Sequence, residues 1–238
     1  MRYPVLIVLH QEHSTPGRIG HAVQQLGYTL DVRRPRFGEA LPATMAAIIF
    51  GGPMSANDSD DFIRREIEWV GVPLRDHQPF LGICLGAQIC AKFLGGKVFR
   101  HASGQAEAGY YPVRPTAAGL AVVETWPECV YQWHREGFDL PYGGELLAEG
   151  DIFEVQAIRF QSAFALQFHP EVTHAMMHKW TTHGHERLAM PGAKPRHTHF
   201  ADRAVYDYST RTWLKVFLER WLGRAQQGAG QFLPAAVD

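Results

Sequence analysis

Short apolar runs alternate with amphipathic helical stretches over the first 96 residues, and this alternation constrains the fold more than any other feature of the chain. YPVLIVLH (3–10) is rich in Val, Ile and Leu with no polar alternation, as expected of a strand covered on both faces. GRIGHAVQQLG then sets Ile19, Val23 and Leu26 on one helical face and stops at Gly27. YTLDVRRP reads as a second strand, AAIIFGG (46–52) as a third ending in a glycine turn, and PFLGI as a fourth. Before the fourth, DDFIRREIEWVGV forms a helix with Phe62, Ile63, Ile67 and Val70 inward. Strands separated by helices pair in parallel through right-handed crossovers. The expected fold is therefore α/β, a three-layer, doubly wound, mostly parallel sheet of the flavodoxin-like kind.

Beyond Gly96 the runs shorten. GYYPV, AVVE, VYQWH, FEVQAIRF and FALQFH are separated by Pro, Gly and Asp turns, so the second half is expected to add β-structure. Helices return with VTHAMMHKWTTHG and STRTWLKVFLERWLG, and residues 185–203 between them read as a basic surface connection. One domain is expected over 1–224, followed by a flexible tail, 225–238, in which only Phe232 and Leu233 hint at docking.

A chain of 238 residues can bury a sizeable core without staples. Its net charge of -1 gives no electrostatic case for nucleic acid or an anionic membrane. The N-terminal apolar run falls far short of the roughly 20 residues that span a bilayer. Cys84, Cys90 and Cys129 form no C-x-x-C pair, which suits a reducing, cytoplasmic setting and excludes a disulfide framework or a thiolate zinc site by spacing. His174 and His178 have helical spacing, but no acidic third ligand follows at a familiar offset, so no metal is expected.

Chemistry concentrates at PFLGICLGAQ (79–88). Gly82, Cys84 and Gly86 form G-x-C-x-G between a strand and a helix, the form of a nucleophile elbow. Cys84 would start helix 85–94, where free N–H groups and the helix dipole favour a thiolate. The alternative is an inert buried thiol, the reading that also covers Cys90 and Cys129. A thiolate needs a base and the base an orienter, and ALQFHPEVT supplies His169 and Glu171 two residues apart at a strand end, on one side of the chain. The backbone N–H groups of Leu85 and of Gly52, in FGGPMS, would converge as oxyanion donors.

With FGGPMS, GICLGAQ and QFHPE in this order, the chain resembles the class I, triad-type glutamine amidotransferases from its first strand to about Leu222. It is most similar to stand-alone members related to the amidotransferase domain of GMP synthase. The resemblance implies that Cys84 attacks the γ-carbonyl of a glutamine-like substrate, His169 moves protons and Glu171 orients His169. Gln88 matches the position that helps hold the glutamate portion. Relatives often carry W-H-G-D along one wall of the substrate pocket, where this chain has QWHREGFDLP. His134, Arg135 and Glu136 are thus candidate substrate contacts. Arg135 and Glu136 either form a surface ion contact or let Arg135 meet a carboxylate on a longer γ-glutamyl substrate. The chemistry implied needs no metal or organic cofactor. No Walker motif is present, so ammonia used in synthesis would pass to a separate synthase protein. A free-standing γ-glutamyl peptidase and a non-catalytic regulatory protein on the same fold are the alternatives.

Overall fold

A computed structural model describes residues 3–229. The first half follows the alternation: β1 (Val5–Val8), α1 (Gly17–Gln25), β2 (Leu30–Arg33), β3 (Ala47–Ile49), α2 (Asp61–Arg75), β4 (Phe80–Ile83) and α3 (Leu85–Phe93). These strands pair in parallel in the order β2-β1-β3-β4. Successive β1 residues feed two cores. Val5 and Ile7 pack with Ile19 and Val23 of α1, whereas Leu6 and Val8 pack with Ile63 of α2 and Ile89 of α3. A strand with no polar alternation is what a sheet covered on both faces requires.

The second half adds β5 (Val98–Arg100), β6 (Glu107–Pro112), β7 (Arg114–Pro115), α4 (Ala117–Val122), β8 (Cys129–His134), β9 (Glu136–Phe138), β10 (Glu145–Glu149), β11 (Val155–Phe160) and β12 (Ala163–Leu166). Strand β12 lies parallel to β4 and completes a five-strand flavodoxin-like order. Antiparallel β11, β10 and β7 extend that sheet to eight strands, while β5–β9 and β6–β8 form separate two-stranded sheets. The chain closes with α5 (His174–His183), a 3₁₀ turn (His185–Ala189) and the long α6 (Arg196–Ala229).

Four local expectations change. AVVE is not a strand: Ala121 and Val122 end α4, which starts where the Thr116 hydroxyl accepts the Gly119 N–H. Segment 185–203 is not a plain loop. The 3₁₀ turn occupies its start and α6 its end, and His199 is fully buried between the Tyr131 hydroxyl and the Lys194 carbonyl. On α2 the face is rotated, so that Glu66 is wholly buried and Ile67 only partly. Helix α6 continues to Ala229; Phe232 and Leu233 lie outside the described residues.

Candidate active site

The turn from β4 into α3 is built for Cys84. This residue has φ 51° and ψ -104°, a combination sparsely populated by side-chain-bearing residues and costing about 1–3 kcal/mol. The surroundings hold it there: the Cys84 N–H donates to the Leu166 carbonyl at 2.8 Å, and the Gln88 N–H donates to the Cys84 carbonyl at 3.0 Å. Both flanking glycines are needed for close approach. A Cβ on Gly82 would lie 2.5 Å from the Gly86 carbonyl oxygen, and one on Gly86 would lie 2.0 Å from the Ile49 oxygen. The elbow is thus clamped between β12 on one side and β3 on the other.

Across the sheet, His169 follows β12. Its backbone N–H donates to the Tyr131 carbonyl at 2.8 Å, which ties the strand end to β8. The His169 Nδ1 bonds the Glu171 carboxylate at 2.8 Å, and both side chains are buried. With Nδ1–H donated to the carboxylate, Nε2 carries the free ring position. That Nε2 is buried without a hydrogen bond of ordinary geometry, yet the Cys84 sulfur is close enough to act on the ring. Gly51 sits between them: a Cβ there would be 2.8 Å from His169 Cε1 and 3.4 Å from Cys84 Cβ. Trp180 packs edge-on against the imidazole at 4.8 Å and limits its rotation. Burial pushes against the charged ring, but the Glu171 carboxylate and the Cys84 sulfur overcome it and raise the His169 pKa to about 10.

Two cavities meet at Cys84. The larger, about 420 Å³, is lined by Gly51, Gly52, Cys84, His169, Glu171, Trp133, Lys179, Trp180 and Arg187. The smaller, about 20 Å³, is lined by Gly52, Leu85, Gln88, His134, Arg135, Glu136 and Arg187. Gly52 and Leu85 therefore border Cys84 together. Gln88 is buried, and its amide N–H groups are committed to the Glu136 carbonyl at 2.8 Å and the Gln167 side chain at 3.2 Å. His134 is likewise buried, with Nδ1 on the Glu136 carbonyl and Nε2 beside Gln132 and Glu107. The expected surface ion contact between Arg135 and Glu136 is not what forms. Glu136 is buried and its Oε1 meets Arg100 at 3.4 Å, because successive residues entering β9 face opposite ways.

Arg187 was not singled out by sequence. It stands at the junction of both cavities, donates to the Trp133 carbonyl at 3.3 Å, and has its pKa lowered by burial, with the Cys84 sulfur partly countering that shift. It makes no ion pair among the described residues. Lys179 similarly donates to the His13 carbonyl at the cavity wall. Nothing local in a basic connection marks one arginine as site-facing; only the packing of the 3₁₀ turn does so. Among the described residues, no group of three or more His, Cys, Asp or Glu converges as a metal site, and no helix is long and apolar enough to cross a membrane.

Known proteins share this framework. The family model described as "Glutamine amidotransferase class-I" matches residues 8–184. The glutamine amidotransferase-like protein YfeJ of Salmonella typhimurium is 26% identical over 218 residues, covering 86% of this chain and 90% of YfeJ. A glutamine-hydrolyzing GMP synthase subunit of Sulfurisphaera tokodaii is 35% identical over 133 residues, covering 53% of this chain and 68% of that protein. The match to two undivided GMP synthases spans only 24% and 32% of their lengths. The crystal structure of a glutamine amido transferase from Methylobacillus flagellatus superposes with a TM-score of 0.86 at 25% identity, covering 93% of this chain and 94% of that one. The parallel order of the sheet, the elbow at Cys84 and this family match over residues 8–184 lead to one conclusion: the chain belongs to the class I glutamine amidotransferase family.

Proposed function

We propose that the protein hydrolyses the γ-amide of glutamine, or a related γ-glutamyl amide, through a thioester on Cys84. The Cys84 thiolate adds to the γ-carbonyl, and the resulting oxyanion meets the backbone N–H groups of Gly52 and Leu85. Collapse breaks the C–N bond as the leaving nitrogen takes a proton from Nε2 of His169. His169 then removes a proton from water, which attacks the thioester and releases glutamate. Glu171 holds Nδ1–H and so keeps Nε2 directed at the thiol. Gln88 and the wall 134–136 border the glutamyl portion.

The observation that carries this reading is the Nδ1–Glu171 bond at 2.8 Å, which leaves Nε2 as the free nitrogen beside a strained Cys84. Release of glutamate by the purified protein, with mass spectrometry of Cys84 for an acyl adduct, tests it. Cys84→Ala should abolish turnover, a loss of about 10⁴-fold or more. Turnover that survives this change would overturn the assignment.

A second reading concerns the leaving group. The leaving nitrogen takes its proton from His169, so its substituents extend into the space His169 lines. That space is the 420 Å³ cavity, far larger than ammonia needs, and its wall carries Lys179 and Arg187 alongside Glu171 and Glu186. This supports γ-glutamyl conjugates of amines larger than ammonia as substrates. The likeness to a GMP synthase subunit supports instead a separate synthase that receives ammonia. Assayed alone, the chain should cleave γ-glutamyl peptides faster than glutamine under the former. Under the latter it should stay slow on both until a partner is supplied.

A further inference from the structure

Outside the residues given roles above, the described interior holds a further histidine–glutamate pair, wholly buried, within one residue of the proposed oxyanion site. His10 follows β1, Glu66 lies mid-way along α2, and both are 0% exposed. The His10 Nε2 meets Glu66 Oε2 at 2.9 Å, while its Nδ1 meets the Gly51 carbonyl oxygen at 3.1 Å. A carbonyl only accepts, so Nδ1 carries a proton and donates it. A proton then also lies between Nε2 and Glu66, on the ring or on the carboxyl. The pair is neutral as a whole, which suits its complete burial.

The bonded carbonyl belongs to the same peptide unit as the Gly52 N–H. In a trans peptide the C=O and N–H point in opposite directions across a rigid plane. His10 borders neither cavity, whereas Gly51 and Gly52 line the larger one beside Cys84. A carbonyl drawn toward His10 is therefore drawn away from the cavity, and the N–H of Gly52 is turned into it. Without that bond nothing local favours this orientation: two successive glycines rotate freely, and the flipped plane would present an oxygen to the oxyanion.

The geometry points to His10 and Glu66 as a positioning pair that locks the Gly51–Gly52 peptide with its N–H aimed at the oxyanion. This rests on the thioester reading proposed above. His10 donates to the peptide and Glu66 fixes the ring so that Nδ1 carries the proton; neither touches the substrate.

Two substitutions separate this role from plain packing. The amide of His10→Asn replaces Nδ1 and can still donate to Gly51, but it leaves Glu66 unpaired, with Oε1 already lacking a partner. The amide of His10→Gln replaces Nε2, keeping a partner for Glu66 and losing the hydrogen bond to the Gly51 carbonyl. H10Q should fold more stably than H10N yet lose about 10²–10³-fold in kcat with KM little changed, while H10N loses far less. Alkylation of Cys84 by iodoacetamide, which forms no oxyanion, should proceed at similar rates in both. If H10N folds poorly, adding Glu66→Gln removes the orphaned charge. A kcat order that follows stability, or wild-type turnover in H10Q, would overturn the proposal. Crystal structures of the variants read the peptide without turnover: the Gly51 carbonyl should swing into the cavity in H10Q only. If it does so in a protein whose wild type cleaves no γ-glutamyl amide, the thioester reading fails and the positioning role stands. A peptide unmoved in H10Q overturns the role whatever the activity.

Discussion

His169 is a residue whose neighbours set its ionisation against the effect of burial. Its pKa is raised to about 10 although burial opposes the charge, because Glu171 and the Cys84 sulfur both favour the imidazolium. A raised histidine contributes stability that is fully present below its unfolded value near 6.5 and is lost as the pH rises through the folded value. Urea unfolding of the wild type should therefore show stability falling between about pH 6.5 and about pH 10, with a slope approaching about 1.4 kcal/mol per pH unit. His169→Asn should remove that component, and an identical decline in this variant would sink the argument. The sequence made this pair legible because QFHPE sets His169 and Glu171 two residues apart, although β12 ends at Leu166 and the pair lies in the turn that follows. It could not reveal that Gln88 is held by Gln167, a residue 79 positions away.

The helical and strand elements act as brackets around the elbow. The first residue of α1, Gly17, has φ +53°, and a Cβ there would sit 2.3 Å from the Glu171 carbonyl oxygen. The Arg18 N–H donates to that same oxygen at 3.0 Å. Helix α1 thus fixes the backbone that carries Glu171. Gly17→Ala should cost about 1–3 kcal/mol by overpacking. It should also lower kcat by about tenfold or more, since Glu171 must move, and KM should change less. Steady-state kinetics beside a denaturation curve checks this; full activity in a destabilised variant would count against the bracket. At this scale the first-half elements followed from hydrophobic period. The misreading of AVVE arose because a β-branched run looks like a strand, and the Thr116 cap that starts a helix there competes with that signal.

For the whole molecule, the parallel sheet brings the ends of β1, β3, β4 and β12 to one edge, where His10, Gly51, Cys84 and His169 converge. Helix α6 supports that edge from behind. Trp213 stacks on Phe217 with ring centroids 5.0 Å apart and contacts Phe168, the neighbour of His169, at 5.6 Å. The Asp207 carboxylate meets Arg18 at 2.7 Å and so joins α6 to α1. Trp213→Ala should destabilise the protein by about 3–5 kcal/mol, lowering the denaturant midpoint. Trp213→Phe should cost much less, because the indole N–H is buried without a partner. Equal losses in the two variants would contradict this account of the packing.

The sequence by itself determined the parallel α/β core and the triad of motifs at 50–55, 82–88 and 167–171. Those features are written in local period, in glycines at points of close approach and in residues that neighbour one another along the chain. Tertiary structure alone decided which cations border Cys84, that Glu136 turns to Arg100, and that His10 and Glu66, 56 residues apart, meet at 2.9 Å behind Gly51. The reason is physical. A buried polar group is satisfied by whatever partner folding brings within about 3 Å, and that proximity has no signature in the spacing of the chain.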